Sequence, residues 1–198
     1  MRTIKRLSLL FFVLISFAAF AQKTASVGIK AGFPNVAGAN AELILPLLDN
    51  RLSVYVDYSK FEIEPEDDAS VDFKYKEYGA NFYIGPRAGR GLYLSAGRGD
   101  FDSKILLTNI ELDGGRTGEG DTRLRFESTN FKIGLRTGGM VYFRIEAGYG
   151  FGEIPEEIVF EARSSDGYKE TVTEPIPDIP GISGSGVAIL NIGFGIAF

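Results

Sequence analysis

The sequence predicts an all-β fold, an up-and-down antiparallel barrel of about eight strands. Three observations carry this. Apolar residues alternate with polar or small ones along most of the chain, while the 3.6-residue period of helices is hard to find. The 198 residues include 25 Gly, 16 Phe and 9 Tyr, a balance that suits strands and tight turns. Short turns also alternate with long connections, as in a chain that runs repeatedly up and down one wall.

The first element is not part of that wall. Arg2, Lys5 and Arg6 precede a 15-residue apolar stretch from Leu7 to Ala21, interrupted only by Ser8 and Ser16. It ends Ala19-Phe20-Ala21 before Gln22, the small-x-small pattern of a signal-peptide cleavage site. A membrane helix needs about 20 residues, so the stretch is short for an anchor. Residues 1–21 are therefore expected to be a cleaved signal peptide and 22–198 a single barrel domain. Cleavage removes three positive charges and takes the net charge from −5 to −8. An acidic chain gives no support for nucleic-acid binding, which calls for a basic face.

The strands follow in order. Val27, Ile29, Ala31 and Phe33 share one face, opposite Gly28, Lys30 and Gly32. Ala39, Ala41, Leu43, Leu45 and Leu47 form the next face, opposite Asn40 and Glu42, before a turn at Asp49-Asn50. Leu52, Val54, Val56 and Tyr58 oppose Ser53, Tyr55, Asp57 and Ser59. The acid-rich residues 62–72 read as an exposed loop. Phe73 to Ile84 and Leu92 to Ala96 continue as strands around a short turn at 85–91. Residues 98–121 read as a long Gly- and Asp-rich loop with extended pieces near Ile105–Leu112. Thr129 to Arg136 and Val141 to Tyr149 flank a hairpin turn at Gly138-Gly139. Residues 152–184, Pro- and acid-rich, read as a long loop or partly extended hairpin, and Ala188 to Phe198 is the last strand.

Alternation alone does not say which face is inside. A soluble lipocalin-like barrel puts charge outward; a membrane barrel puts apolar residues against lipid and polar ones in its interior. Three features favour the membrane. The polar face is rich in Gly, Ser and Asn, which suit a narrow interior. Its charges come in both signs: Lys30, Glu42, Asp57, Lys132, Arg136, Arg144 and Glu146. Aromatics gather near strand ends, with Tyr58, Phe61, Phe73, Tyr75, Tyr149 and Phe151 toward one rim and Phe82, Tyr142, Phe143 and Phe194 toward the other, like two interfacial girdles. After cleavage no stretch is long and apolar enough for a membrane helix, and a closed barrel is the other structure that satisfies its backbone in lipid.

The last strand, Val187 to Phe198, places aromatic or apolar residues at alternate positions and ends on Phe. It resembles the C-terminal strand that outer-membrane barrels present to the barrel assembly machinery. With the signal peptide, the pattern of residues 25–198 resembles the small, about eight-stranded bacterial outer-membrane β-barrel family. The resemblance implies an outer-membrane location, contact with outer-membrane lipid and lipopolysaccharide, and an assembly signal at Phe198. The Pro-containing last loop departs from the simplest members.

Chemistry is sparse. Without Cys there is no thiolate ligand or disulfide, and without His the usual general base is missing. Ser183 and Ser185 read as loop residues, since no base is at hand to activate them. Gly114 to Asp121 only faintly resembles a calcium-binding Gly/Asp repeat and occurs once. Gly148 to Gly152 is not a phosphate loop, because no helix pattern follows it. No enzyme activity, cofactor or metal is expected. The seven inward charges are expected to form an ion-pair network that fills the lumen, an eight-stranded barrel being only wide enough for side chains. The acidic connections 62–72 and 152–184 would solubilise the outer surface, gather divalent cations, or meet a basic extracellular partner. Three functions stay open: a structural or interaction protein of the envelope, a narrow channel or apolar-ligand conduit, and a soluble periplasmic binding barrel.

Overall fold

A computed structural model describes residues 24–66, 69–85, 87, 89–155, 157–176 and 180–198. The predicted signal peptide and the acids Asp67, Asp68, Glu156 and Asp178 lie outside the described residues. Eleven strands form one antiparallel sheet. They are β1 (Ala25–Phe33), β2 (Val36–Ile44), β3 (Leu52–Glu66), β4 (Ala69–Tyr83), β5 (Gly91–Leu112), β6 (Arg116–Gly138), β7 (Val141–Phe151), β8 (Glu157–Ser164), β9 (Lys169–Pro175), β10 (Ile182–Ser183) and β11 (Gly186–Ala197). Among the described residues no helix is long and apolar enough to cross a membrane.

Eight of the strands close a ring. β1 to β7 pair in sequence, and β11 pairs with both β7 and β1. The paired residues Ser26, Glu42, Tyr55, Gly79, Gly97, Asn130, Gly150 and Val187 lead back toward β1 ten residues above the start. That stagger tilts the strands by roughly 40° and gives a backbone radius of roughly 8 Å. Both chain ends of the barrel meet at one rim, where Ala25 and Phe198 exchange backbone hydrogen bonds of 3.1 and 2.9 Å. The turns at 45–51, 84–90 and 139–140 share this rim. At Asp49 and Asn50 the backbone takes φ of 59° and 60°, the left-handed conformation that these side chains tolerate.

The long connections differ from expectation. Residues 62–72 and 98–121 are not loops: β3, β4, β5 and β6 run on past the barrel as paired hairpins. β5 and β6 therefore have 22 and 23 residues, where strands of about 9–11 suffice to span a bilayer. Gly114 and Gly115 turn the second hairpin with φ of 77° and 72°, and Gly114 to Asp121 is its tip and the start of β6. Alternation persists through this Gly- and Asp-rich sequence, but few apolar residues mark it. Within residues 152–184, β8 and β9 form a further hairpin, and β8 pairs with β6. β2 also stops at Ile44, so Leu45 and Leu47 belong to the turn rather than to the strand.

The apolar faces point outward. Ile29 and Phe131 are 67% and 55% exposed, and Leu94, Ile133, Leu190, Ile192 and Phe194 are all exposed. The charged faces point inward. This inverts the burial order of water-soluble proteins and is the arrangement required when the outer solvent is hydrocarbon. The girdle expectation needs correction at four residues. Phe73, Tyr75 and Tyr142 are buried in the lumen, on the inward parity of their strands. Phe61 is paired with Phe73 and shares its face.

Candidate functional site

Among the described residues the buried charged side chains are four cations and four carboxylates, all in the lumen. The cations are Lys30, Lys132, Arg136 and Arg144; the carboxylates are Glu42, Asp57, Glu77 and Glu146. The seven charges assigned inward from the sequence are all there. Sequence reading missed Glu77. The signal was available: seven charges leave one cation in excess, and Glu77 lies two residues before Gly79 on the same face of β4.

The inward face of β6 ascends the lumen as a ladder. At the lowest position Arg136 lies 2.8 Å from Glu42. Glu42 also accepts from Arg144, from Ser53 at 2.5 Å, from Tyr83 at 2.8 Å and from Asn81 at 3.0 Å. Next is Gly134, against which the Tyr93 ring packs with no room for a Cβ. The Tyr93 hydroxyl donates to Glu146 at 2.6 Å. Lys132 lies 2.7 Å from Glu77 and 3.6 Å from Glu146, and stands over the Tyr55 ring. Lys30 completes this level, 2.6 Å from Asp57 and 2.7 Å from Glu146. Arg144 reaches from Glu42 to within 3.8 Å of Glu146, tying the two hubs together.

Above the charges, Asn130 donates to Tyr75 at 2.9 Å, and Tyr75 donates to Glu77 at 3.0 Å. Phe126 then stacks on Phe101 at 4.5 Å, and Phe101 meets Phe73 edge-on at 4.8 Å. Phe126, Ile154 and Val187, with Phe33, Phe101 and Ile182 against them, form an apolar cluster at the hairpin end of the barrel.

Tyrosines supply the donors that the carboxylates need beyond their ion pairs. They fit because glycines stand opposite them: Tyr55 faces Gly79, Tyr93 faces Gly134 and Tyr142 faces Gly195 across the strands. A large ring covers the backbone that a glycine leaves bare. Each carboxylate keeps a cation and hydrogen-bond donors, the condition under which buried ion pairs are tolerated. Ser183 and Ser185 lie elsewhere, exposed at the outer rim, with the Tyr149 hydroxyl 2.9 and 3.4 Å away. Among the described residues, no group of three or more acids is placed to hold a metal ion.

A closed antiparallel ring that is apolar outside and fully charge-paired inside is a β-barrel of the transmembrane class. A solved structure similar to the chain is that of a major outer membrane protein from Thermus thermophilus, at a TM-score of 0.47 and 11% identity, covering 88% of this chain and 98% of that one. No family model and no curated protein matches the chain.

Proposed function

We propose that the protein is a structural or interaction barrel of the bacterial outer membrane, with a side-chain-filled lumen and long hairpins displayed outside the cell. The carrying observation is the lumen itself. Eight paired charges and an apolar outer plug occupy an interior only wide enough for side chains. A conducting pore would need a continuous aqueous path, and the interlocked hubs at Glu42 and Glu146 leave side chains across it. The soluble binding-barrel reading is disfavoured by the outward apolar band. No enzymatic role is proposed, since the chain has no His and the rim serines have no base beside them.

The outer hairpins support an interaction role. β8 and β9 carry Glu157, Glu161 and Glu170 against Arg163 and Lys169, an acidic balance suited to a basic extracellular partner. The last strand, ending at Phe198, pairs with both β7 and β1 and so closes the ring. That supports its reading as the segment offered to the assembly machinery. The test is planar-bilayer recording on protein that shifts in mobility between boiled and unboiled detergent gels. Heat-modifiable protein without conductance steps is the expected result. Stable steps would replace this reading with a channel, and a soluble periplasmic protein without the gel shift would end the membrane reading.

A further inference from the structure

The sheet that rises from the barrel ends in an open edge. β9 pairs with β8 and, among the described residues, with no other strand. The hairpin fixes which of its backbone groups are spare. The Ser164 amide donates to the Tyr168 carbonyl at 2.9 Å, so these two residues are a hydrogen-bonded pair. In an antiparallel ladder such pairs recur at every second residue, which makes Ala162–Glu170 and Phe160–Val172 the next ones. Lys169, Thr171 and Thr173 alternate with them, so their N–H and C=O groups point away from β8. All of these edge residues are exposed. Pro175 has no N–H and ends the stretch.

An open edge is a template for a further strand. This edge is complementary to itself in one register. With two copies antiparallel and Thr171 opposite Thr171, Lys169 of each copy faces Thr173 of the other. The spare N–H and C=O groups of Lys169, Thr171 and Thr173 then all find partners. Glu170 faces Val172, and Pro175 falls outside the bonded stretch. Neighbouring registers fail. Centring on Glu170 sets that carboxylate against its own copy. Centring on Val172 sets Glu170 against Glu174 and brings Pro175 opposite Lys169, where an N–H is needed.

Strand direction decides where the second copy sits. β6 descends from the hairpin tip to the barrel, β8 runs antiparallel to it, and β9 antiparallel to β8. β9 therefore heads back toward its own barrel. In an antiparallel pair the second β9 heads the other way, and its barrel lies at the far end. We infer that β9 joins β9 of a second copy held in an apposed membrane, so that the protein makes a homophilic contact between two outer-membrane surfaces. The inference rests on the membrane-barrel reading with the hairpins outside.

The chain has no Cys, so one introduced thiol reports the register. Residues 22–198 carrying T171C, and separately T173C, are refolded into phosphatidylcholine vesicles as two populations with different affinity tags, which are mixed and oxidised. The Thr171 Cα atoms of the two copies would lie about 5.5 Å apart, within disulfide reach, and the Thr173 ones roughly 14 Å apart, beyond it. T171C should therefore give dimers bearing both tags, about tenfold more than T173C. T171P removes a spare N–H and leaves the β8 ladder its bonds, so it should abolish the vesicle clustering that light scattering detects with the parent. Equal dimers from T171C and T173C, dimers with one tag only, or clustering by T171P as strong as the parent's would each overturn the pairing. No dimer from T171C would leave the edge to a partner other than a second copy, and overturns it too. The unboiled gel shift is measured alongside. A parent without that shift overturns the barrel reading, whereas shifted variants that fail to dimerise overturn only the pairing.

Discussion

Glu42→Gln tests whether the lumen is held by charge balance. Oε1 of Glu42 accepts from Ser53, Asn81 and Tyr83, and Oε2 accepts from Arg136 and Arg144. A glutamine keeps the first set through its carbonyl and turns an NH2 toward two guanidinium groups. Two charge-assisted hydrogen bonds are lost, at about 1.5–3 kcal/mol each. One unpaired positive charge is left in a closed interior, which by itself costs about 3–5 kcal/mol when a buried pair is broken. The two routes count the same event and agree on about 3–5 kcal/mol. Adding Arg136→Gln restores three cations to three carboxylates, and the pair should then couple favourably by about 1–3 kcal/mol. The chain has no Trp, so unfolding by urea in lipid vesicles is best followed by circular dichroism and by the folded band of unboiled gels. An E42Q midpoint equal to the parent's, or a double variant whose loss is the plain sum of the singles, would refute the argument.

Three further outcomes follow from the same geometry. Gly134→Ala should destabilise the barrel by about 1–3 kcal/mol, because its methyl group meets the Tyr93 ring; Tyr93→Ala in the same background should remove that clash, read from urea midpoints. Asp166, at the β8–β9 turn, accepts from the Ser164 hydroxyl at 2.6 Å, the Tyr168 amide at 3.2 Å and Arg116 at 3.0 Å, which together bring its pKa down to about 2. With the folded value below the unfolded one of about 4, the turn's stabilisation is complete above pH 4 and is lost as pH falls toward 2; amide exchange at Tyr168 should accelerate across that window, and Asp166→Asn should flatten the change. Phe198→Ala should lower the fraction assembled in cells more than it shifts the urea midpoint, since the ring is 62% exposed and the strand closes through backbone bonds; a midpoint loss as large as that of Gly134→Ala would count against an assembly role.

The ring was legible where one face of a strand is strongly apolar. Val141 to Tyr149 and Ala188 to Phe198 alternate so cleanly that register and inward parity follow directly, which is why Arg144 and Glu146 could be placed. The same alternation is faint beyond the lipid band. In β5 after Ala96, and in β6 before Thr129, the outward face turns charged and the inward face mixes Gly and Ser with a few apolar residues such as Phe101 and Phe126. Hydrophobic periodicity is then too sparse to outweigh the Gly and Asp content, and the strands read as loops. Glu77 was lost because the acidic and basic residues between Asp72 and Glu77 blur the start of β4. Aromatics misled for a related reason. A tyrosine suits an interface and a crowded polar lumen equally well: Tyr142 turns inward where the cross-strand Gly195 makes room for its ring, and Tyr75 turns inward between Ser59 and Phe101.

The charges sort into layers along the barrel axis. The buried lumen charges sum to zero, four cations against four carboxylates, so the net −8 of residues 22–198 resides on the rest of the chain. The apolar band carries none of it. Directly above the band on β3 to β5 the first outward charges are cations, and beyond them lie the acid-bearing hairpins. Moving the hairpin end through a bilayer would require desolvating many carboxylates and ion pairs, whereas the short-turn end exposes far fewer charges. The hairpins are therefore the end that is harder to carry through a bilayer, on electrostatic grounds that do not depend on what they bind.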